Sequence, residues 1–256
     1  MGIFDRTSTA PPAGPDAETL AKLERVRRPC WIPQTEPGEG PPAGSRFAGR
    51  AMLSPGETWP VCPSCRKPMQ LFVQLNSAEL PSELGTPWGE GLLQLFYCVG
   101  ADPNCEADQG SWAAFSPCTL LRVLPLGGVL PGRQPVRDPF PATHVVGWTR
   151  SDDYPNEEER GYLGAVLRDD EGKTDDAAEE AMGAVYPLSG AKLGGWPGWV
   201  QGVEYPSCPA CGATMRHLFQ IDSDDPLPYM FGDSGCAHIT QCPNHPQVLA
   251  FAWACC

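Results

Sequence analysis

The stretch Tyr205-Pro206-Ser207-Cys208-Pro209-Ala210-Cys211-Gly212-Ala213-Thr214-Met215 is written twice in this chain. Moved back 146 positions without a gap, it falls on Trp59-Pro60-Val61-Cys62-Pro63-Ser64-Cys65-Arg66-Lys67-Pro68-Met69. The register holds on both sides: upstream it pairs Arg46 with Lys192, Phe47 with Leu193, Gly49 with Gly195 and Gly56 with Gly202. Downstream it pairs Gln74 with Gln220, Leu75 with Ile221 and Asn76 with Asp222. A match this long around two Cys-x-x-Cys pairs predicts an internal duplication, with the same small unit in each half.

The chemistry of that unit lies in its donor spacing. A Cys-x-x-Cys turn puts two thiolates on one side of a tight loop, where they can share a tetrahedral cation once two more donors arrive. The first half reads Cys62-x2-Cys65-x32-Cys98-x6-Cys105, and the second Cys208-x2-Cys211-x30-Cys242-x2-His245. Two four-donor sets at matched spacing point to two structural Zn2+ sites, one of four cysteines and one of three cysteines and a histidine. The alternative is a set of buried or disulfide-bonded cysteines. Disulfides are disfavoured by the opening Met1-Gly2-Ile3-Phe4-Asp5-Arg6, which has neither a basic nor an apolar leader region. A cytoplasmic location is therefore expected.

Composition narrows the function. With 31 acidic and 18 basic side chains the formal charge is −13, and bound zinc deepens it, because three or four ionised thiolates outweigh one divalent ion. That is the wrong sign for a nucleic-acid binder, which needs a basic face to displace counterions from phosphates; a basic protein or peptide is the partner that it suits. No apolar run approaches the roughly 18–20 residues of a membrane span. Arg6 stands where a myristoylation site wants Ser or Thr, and the Cys255-Cys256 ending lacks the upstream basic residues of prenylated tails.

The 30 Pro and 28 Gly predict turns and short strands rather than a helical bundle. The expected fold is α+β and strand-rich: internally duplicated, zinc-stapled β units with a few short helices. Residues 1–44 read as a disordered N-terminus, a short helix from Asp16 to about Arg28 and a linker over 33–44; 45–125 as the first repeat; 126–187 as an acidic connecting segment; 188–256 as the second repeat. Both repeats are expected to pack together. Strands are expected at Leu71–Leu75, at Leu92–Tyr97 delivering Cys98, at Trp112–Phe115, Leu120–Val123 and Thr143–Trp148, and in the second repeat at His217–Ile221, His238–Cys242 and Leu249–Trp253. Phe231–Gly235 reads as a turn. Short helices are expected over 157–167 and 175–185, within acidic runs that form either a solvated face or a docking surface for a basic client.

Two further groups invite functional readings. Trp196 and Trp199, among closely spaced glycines, suit either an aromatic surface that holds a peptide or packing against the metal knuckle. Five cysteines, Cys30, Cys118, Cys236, Cys255 and Cys256, lie outside the proposed metal sets. Of these, Cys236 with His238 and Asp233 nearby is the best candidate nucleophile. Catalysis is the less favoured reading, and four protein donors would close each zinc shell against substrate.

With both halves laid out, the motifs LGGWPxWVQ (193–201), CPxCGxxMxxLFQID (208–222), FGDSG (231–235) and QCPxHP (241–246) resemble the bacterial YwqG-like family, domain of unknown function 1963. WPVCPSCRKPMQLFVQLN (59–76) and GLLQLFYC (91–98) are similar to that family's N-terminal half, so the resemblance covers about residues 45–256. The same motifs are more distantly similar to the eukaryotic programmed cell death protein 2 group, whose members chaperone a basic ribosomal protein. The resemblance implies a strand-rich duplicated fold and a non-enzymatic, protein-binding role as adaptor or chaperone. Family members found beside secreted toxins imply an alternative role in immunity.

Overall fold

A computed structural model describes residues 21, 24–101, 104–155, 159 and 187–255. Ten strands form one antiparallel sheet: β1 (Arg28–Pro37), β2 (Arg46–Phe47), β4 (Gln70–Asn76), β5 (Leu92–Tyr97), β6 (Thr119–Leu124), β8 (Thr143–Asp153), β9 (Lys192–Gly194), β10 (Arg216–Asp222), β11 (Cys236–Gln241) and β12 (Leu249–Ala254). Their order is β12-β11-β10-β9-β1-β8-β2-β4-β5-β6. The two edge strands β12 and β6 approach each other, so the sheet nearly closes. A separate pair joins β3 (Met52–Leu53) to β7 (Leu130–Pro131). Helical structure among the described residues is slight: it includes the single turn α1 (Cys105–Asp108) and a 3-10 turn at Ser77–Glu79.

The expected strands of both repeats form, with one exception. Trp112–Phe115 runs through turns, with Phe115 in the left-handed region (φ 64°). The larger correction concerns the expected linker. Residues 24–26 are helical, close to where a helix was expected to end, but β1 then takes up residues 33–37 of the stretch expected as a loop over 33–44, whose remainder does run through bends and turns. Proline in a mid-sheet strand costs a ladder hydrogen bond only where its missing N–H would face a partner. The Pro29 carbonyl accepts from Gly195 N on the β9 side, so Pro29 and Pro33, four residues apart and hence on the same edge of the strand, turn their polar edge away from β8. β9 pairs only with Cys30 and Trp31, so Pro33 faces no strand there. The expected disorder of residues 1–15, the start of the N-terminal helix and the two helices expected in the acidic segment lie outside the described residues.

β1 and β8 stand at the middle, flanked by β2-β4-β5-β6 on one side and β9-β10-β11-β12 on the other. β10 begins and ends 146 positions after β4. Each carries a register shift at its second residue, between Leu71 and Val73 and between His217 and Phe219. One apolar cluster joins the two sides, with Phe47, Phe72 and Leu95 meeting Leu193, Phe219 and Phe251. Phe47 and Phe219 stack at 6.2 Å between ring centroids. Each fully buried aromatic contributes about 1.5–3 kcal/mol by area, so neither side completes its core alone.

Candidate metal centres

Both Cys-x-x-Cys turns are closed by the same backbone bonds. In the first, Arg66 N donates to Cys62 O and Cys62 N to Lys67 O, both at 2.9 Å; in the second, Gly212 N donates to Cys208 O and Cys208 N to Ala213 O, both at 2.8 Å. The bridges Val61–Pro68 and Ser207–Thr214 frame them. The residue after the second cysteine takes a positive φ, 62° at Arg66 and 73° at Gly212, which turns the chain sharply enough to aim both thiols to one side. Met69 and Met215, both buried, pack beneath.

The remaining donors arrive from strand ends. Cys98 directly follows β5 and Cys105 opens α1; Cys242 directly follows β11, and His245 sits in the loop before β12. The donor atoms of Cys62, Cys65, Cys98 and Cys105 all lie within 4.8 Å of one another, as do those of Cys208, Cys211, Cys242 and His245. Individual spacings are 3.8 Å for Cys62–Cys105, 3.6 Å for Cys65–Cys98 and 3.7 Å for Cys211–Cys242. His245 turns Nδ1 to Cys208 at 3.9 Å and to Cys242 at 3.7 Å. Donors about 2.3 Å from one tetrahedral ion stand about 3.8 Å apart, so the spacings fit a shared cation. The cysteines among the described residues form no disulfides. Two groups able to hold a metal ion are thus assembled from the eight residues that the spacing singles out.

Backbone N–H groups favour the thiolate at a cysteine of each turn, whereas burial pushes Cys98, Cys105 and Cys242 up. Burial pushes the Cys62 thiol up, but the N–H groups of Cys65 and Ser64 outweigh it and hold the thiol at about 7. Cys211 is held at about 6 by the N–H of Ala213 and the Asn244 side chain. The two groups differ in exposure: in the first, three cysteines are buried and Cys65 half-buried, whereas Cys211 and His245 of the second are exposed.

A fifth thiol stands at the first group. Cys118 Sγ is 3.7 Å from Cys62 Sγ, wholly buried, and burial pushes it up to about 12. Strand pairing brings it there: Tyr97 pairs with Thr119, and one step further Cys98 N donates to Cys118 O at 3.0 Å. Spacing motifs count along the chain and miss such a cross-strand neighbour. The available signal was that Cys118 lies two residues before the strand expected at Leu120–Val123.

Trp196 and Trp199 do not form an exposed aromatic surface. Both are buried: Trp196 Nε1 donates to Val26 O at 2.7 Å, under the Arg28 guanidinium, while Trp199 Nε1 donates to Glu159 Oε2 and its ring packs tilted against His238, 4.6 Å between centroids. Cys236 and His238 do meet, Sγ to Nε2 at 3.5 Å. Burial drives the thiol well above its usual value and the imidazole down to about 3, so both are neutral. Asp233 lies exposed in a turn, and the carboxylate facing Cys236 across the ladder is Asp222.

No helix among the described residues is long and apolar enough to cross a membrane. Thirty-nine residues of the chain are 46% identical to an uncharacterized protein, YpfL, of Salmonella typhimurium, covering 15% of this chain and 9% of that protein. The chain thus matches less than a tenth of the length of that curated relative. The model of the family described as a domain of unknown function, DUF1963, matches residues 45–243, most of the chain and both four-donor groups except His245. The chain belongs to the DUF1963 family.

Proposed function

We propose that this protein is a non-enzymatic, cytoplasmic, protein-binding adaptor or chaperone, built from two copies of one β unit, each fixed by a structural Zn2+. The single observation that carries the metal reading is the paired four-donor geometry on two matching knuckles. All-sulfur and sulfur–imidazole donors select zinc over hard cations, and four protein donors leave no position for substrate. Each ion would contribute on the order of 10 kcal/mol to folding. The test is metal analysis of purified protein: two zinc ions per chain are expected, and well under one overturns the reading.

The client is expected to be basic. The formal charge of −13 and the acidic stretch between the repeats support this, and the proposed kinship with the programmed cell death protein 2 group rests on the shared motifs. Affinity capture should recover a basic protein that is lost on charge reversal across residues 169–180; recovery unaffected by that change counts against it. A second reading, a cysteine-dependent enzyme, draws on the 3.5 Å Cys236–His238 contact. It ranks lower because a neutral thiol beside a neutral buried imidazole is the opposite of an activated thiolate pair.

A further inference from the structure

One buried glutamine on each side of the sheet makes three matching bonds. Gln74 accepts from Met52 N at 3.0 Å and donates to Gly44 O at 3.0 Å and Pro42 O at 3.3 Å. Gln220 accepts from Gly198 N at 2.7 Å and donates to Gly190 O at 3.1 Å and Leu188 O at 3.4 Å. Every partner is displaced by 146 positions, so the two sites can be compared atom by atom.

The space beside them is treated oppositely. On the first side Met52, Leu92 and Leu124 fill it as one buried apolar cluster. On the second, Gly198 replaces Met52. Cys236, paired with Asp222, replaces Leu92, paired with Asn76; Ala254, paired with Cys236, replaces Leu124, paired with Leu92. All three positions lose side-chain volume. The result is a cavity of about 590 Å³ walled by Gly198, Trp199, Gln220, Asp222, Asp224 and Cys236 among others, within the size range of ligand pockets. The three atoms nearest to a Cβ built on Gly198 all belong to the Gln220 side chain, at 3.3–3.8 Å.

The polar change at the same place sets the ligand's chemistry. Asn76 Nδ2 donates to Ala43 O at 3.0 Å, and Asp222 at the corresponding position cannot donate. Its carboxylate accepts from Gly190 N and, at 3.3 Å, from Gln220 Nε2, which leaves lone pairs for an incoming donor. Asp224 adds a second carboxylate, and no Lys or Arg is among the described residues that line the cavity. We propose that the cavity is a binding pocket for an organic cation, a guanidinium or primary ammonium group, with Asp222 as its principal acceptor and Trp199 as its aromatic wall. The proposal rests on reading the two halves as copies, and it identifies where a basic client's side chain would be held.

The test titrates the full-length, metal-loaded, 15N-labelled protein with ethylguanidinium and, separately, with the peptide acetyl-Gly-Gly-Arg-Gly-Gly-amide. Saturable shifts at Trp199 and at the amides of residues 222–224 are expected, with a Kd of about 1 mM or tighter. Gly198→Met, which restores the counterpart's side chain, and Asp222→Asn should each weaken binding at least tenfold. If Gly198→Met disturbs the fold, Cys236→Leu fills the same space from the facing wall. Tighter binding of the peptide identifies a protein side chain as the source of the cation, and tighter binding of ethylguanidinium a free small molecule; either supports the pocket. No saturable shift with either probe, or equal binding by Gly198→Met and wild type, overturns it. Metal content reads out separately, and capture of a basic client that Gly198→Met retains would sink the pocket as the place where that client is held while leaving the adaptor reading intact.

Discussion

Lys192 Nζ lies 2.8 Å from Asp153 Oδ2, with both side chains wholly enclosed. The carboxylate is saturated: Oδ2 also accepts from Trp196 N and Oδ1 from Leu188 N, each at 2.8 Å. Gly195, at φ 70°, leaves room for it, since a Cβ there would run into Asp153 and Cys30. Arg46, Glu39 and Gly49 repeat the arrangement on the other side of the sheet: Arg46 Nη1 meets Glu39 Oε2 at 2.8 Å, and a Cβ on Gly49 would strike Glu39 and Ala142. The matched Arg46/Lys192 and Gly49/Gly195 pairs are thus one device, a buried cation whose carboxylate a glycine admits.

Removing one member of a fully buried pair strands the other charge, at about 3–5 kcal/mol. Asp153→Ala should therefore lower unfolding free energy in denaturant titrations by about that much. Asp152→Ala, which removes a half-exposed partner of Arg27, should cost about 1 kcal/mol or less. Equal losses would show that the buried pair holds nothing that a surface pair does not.

The exposure difference between the two donor groups predicts an order of metal loss. Cys211 and His245 are open to solvent, whereas three of the first group's donors are buried. In protein loaded with zinc as proposed, a chelator should empty the group Cys208, Cys211, Cys242 and His245 first, monitored by cobalt substitution, in which a His-containing site and an all-Cys site absorb differently. Simultaneous loss, or loss from the all-Cys group first, contradicts the assignment.

Cys118 belongs to the first group's surroundings but not to its mutually close four. Cys118→Ser should leave metal content unchanged, and Cys98→Ser should remove one ion per chain, each measured by elemental analysis of folded protein. Loss of an ion from Cys118→Ser would make Cys118 the ligand in place of one of the four.

The eight donors were legible because a tight turn and a strand end follow local rules that a linear spacing records. The core strands Leu92–Tyr97 and Leu249–Ala254 were legible because unbroken apolar runs have few other destinations. β1 was not: Pro29, Pro33 and Pro37 signal a loop, and only the alternate orientation of their polar edges, a property of the partners β8 and β9, makes them compatible with the middle of a sheet. Trp196 and Trp199 were ambiguous for a related reason, since the groups that bury them, Val26, Arg28 and Glu159, come from distant segments. The Gly198 cavity is lined by residues of three of the quoted motifs, within 193–201, 208–222 and 231–235, but a linear motif does not show that its members share one wall.

His238 makes the molecule acid-sensitive in a defined window. Burial, reinforced by the charge of Lys192, holds its imidazole at about 3 against an ordinary 6.5. Its folded form is therefore neutral where the unfolded chain takes up a proton, so the stabilisation is complete above pH 6.5 and falls as pH drops toward 3. From pH 7.5 to pH 5 this one group should cost about 2 kcal/mol of unfolding free energy. His238→Gln places at this position the residue that its counterpart Gln94, paired with Gln74, already carries. Denaturant titrations at the two pH values, with zinc in excess, should show the variant losing about 2 kcal/mol less than wild type. The part of the slope due to His217, half-buried and held well below its ordinary value by desolvation of its ring, should persist in both. Identical losses in wild type and variant would mean that His238 takes up its proton as easily in the folded sheet as in the unfolded chain.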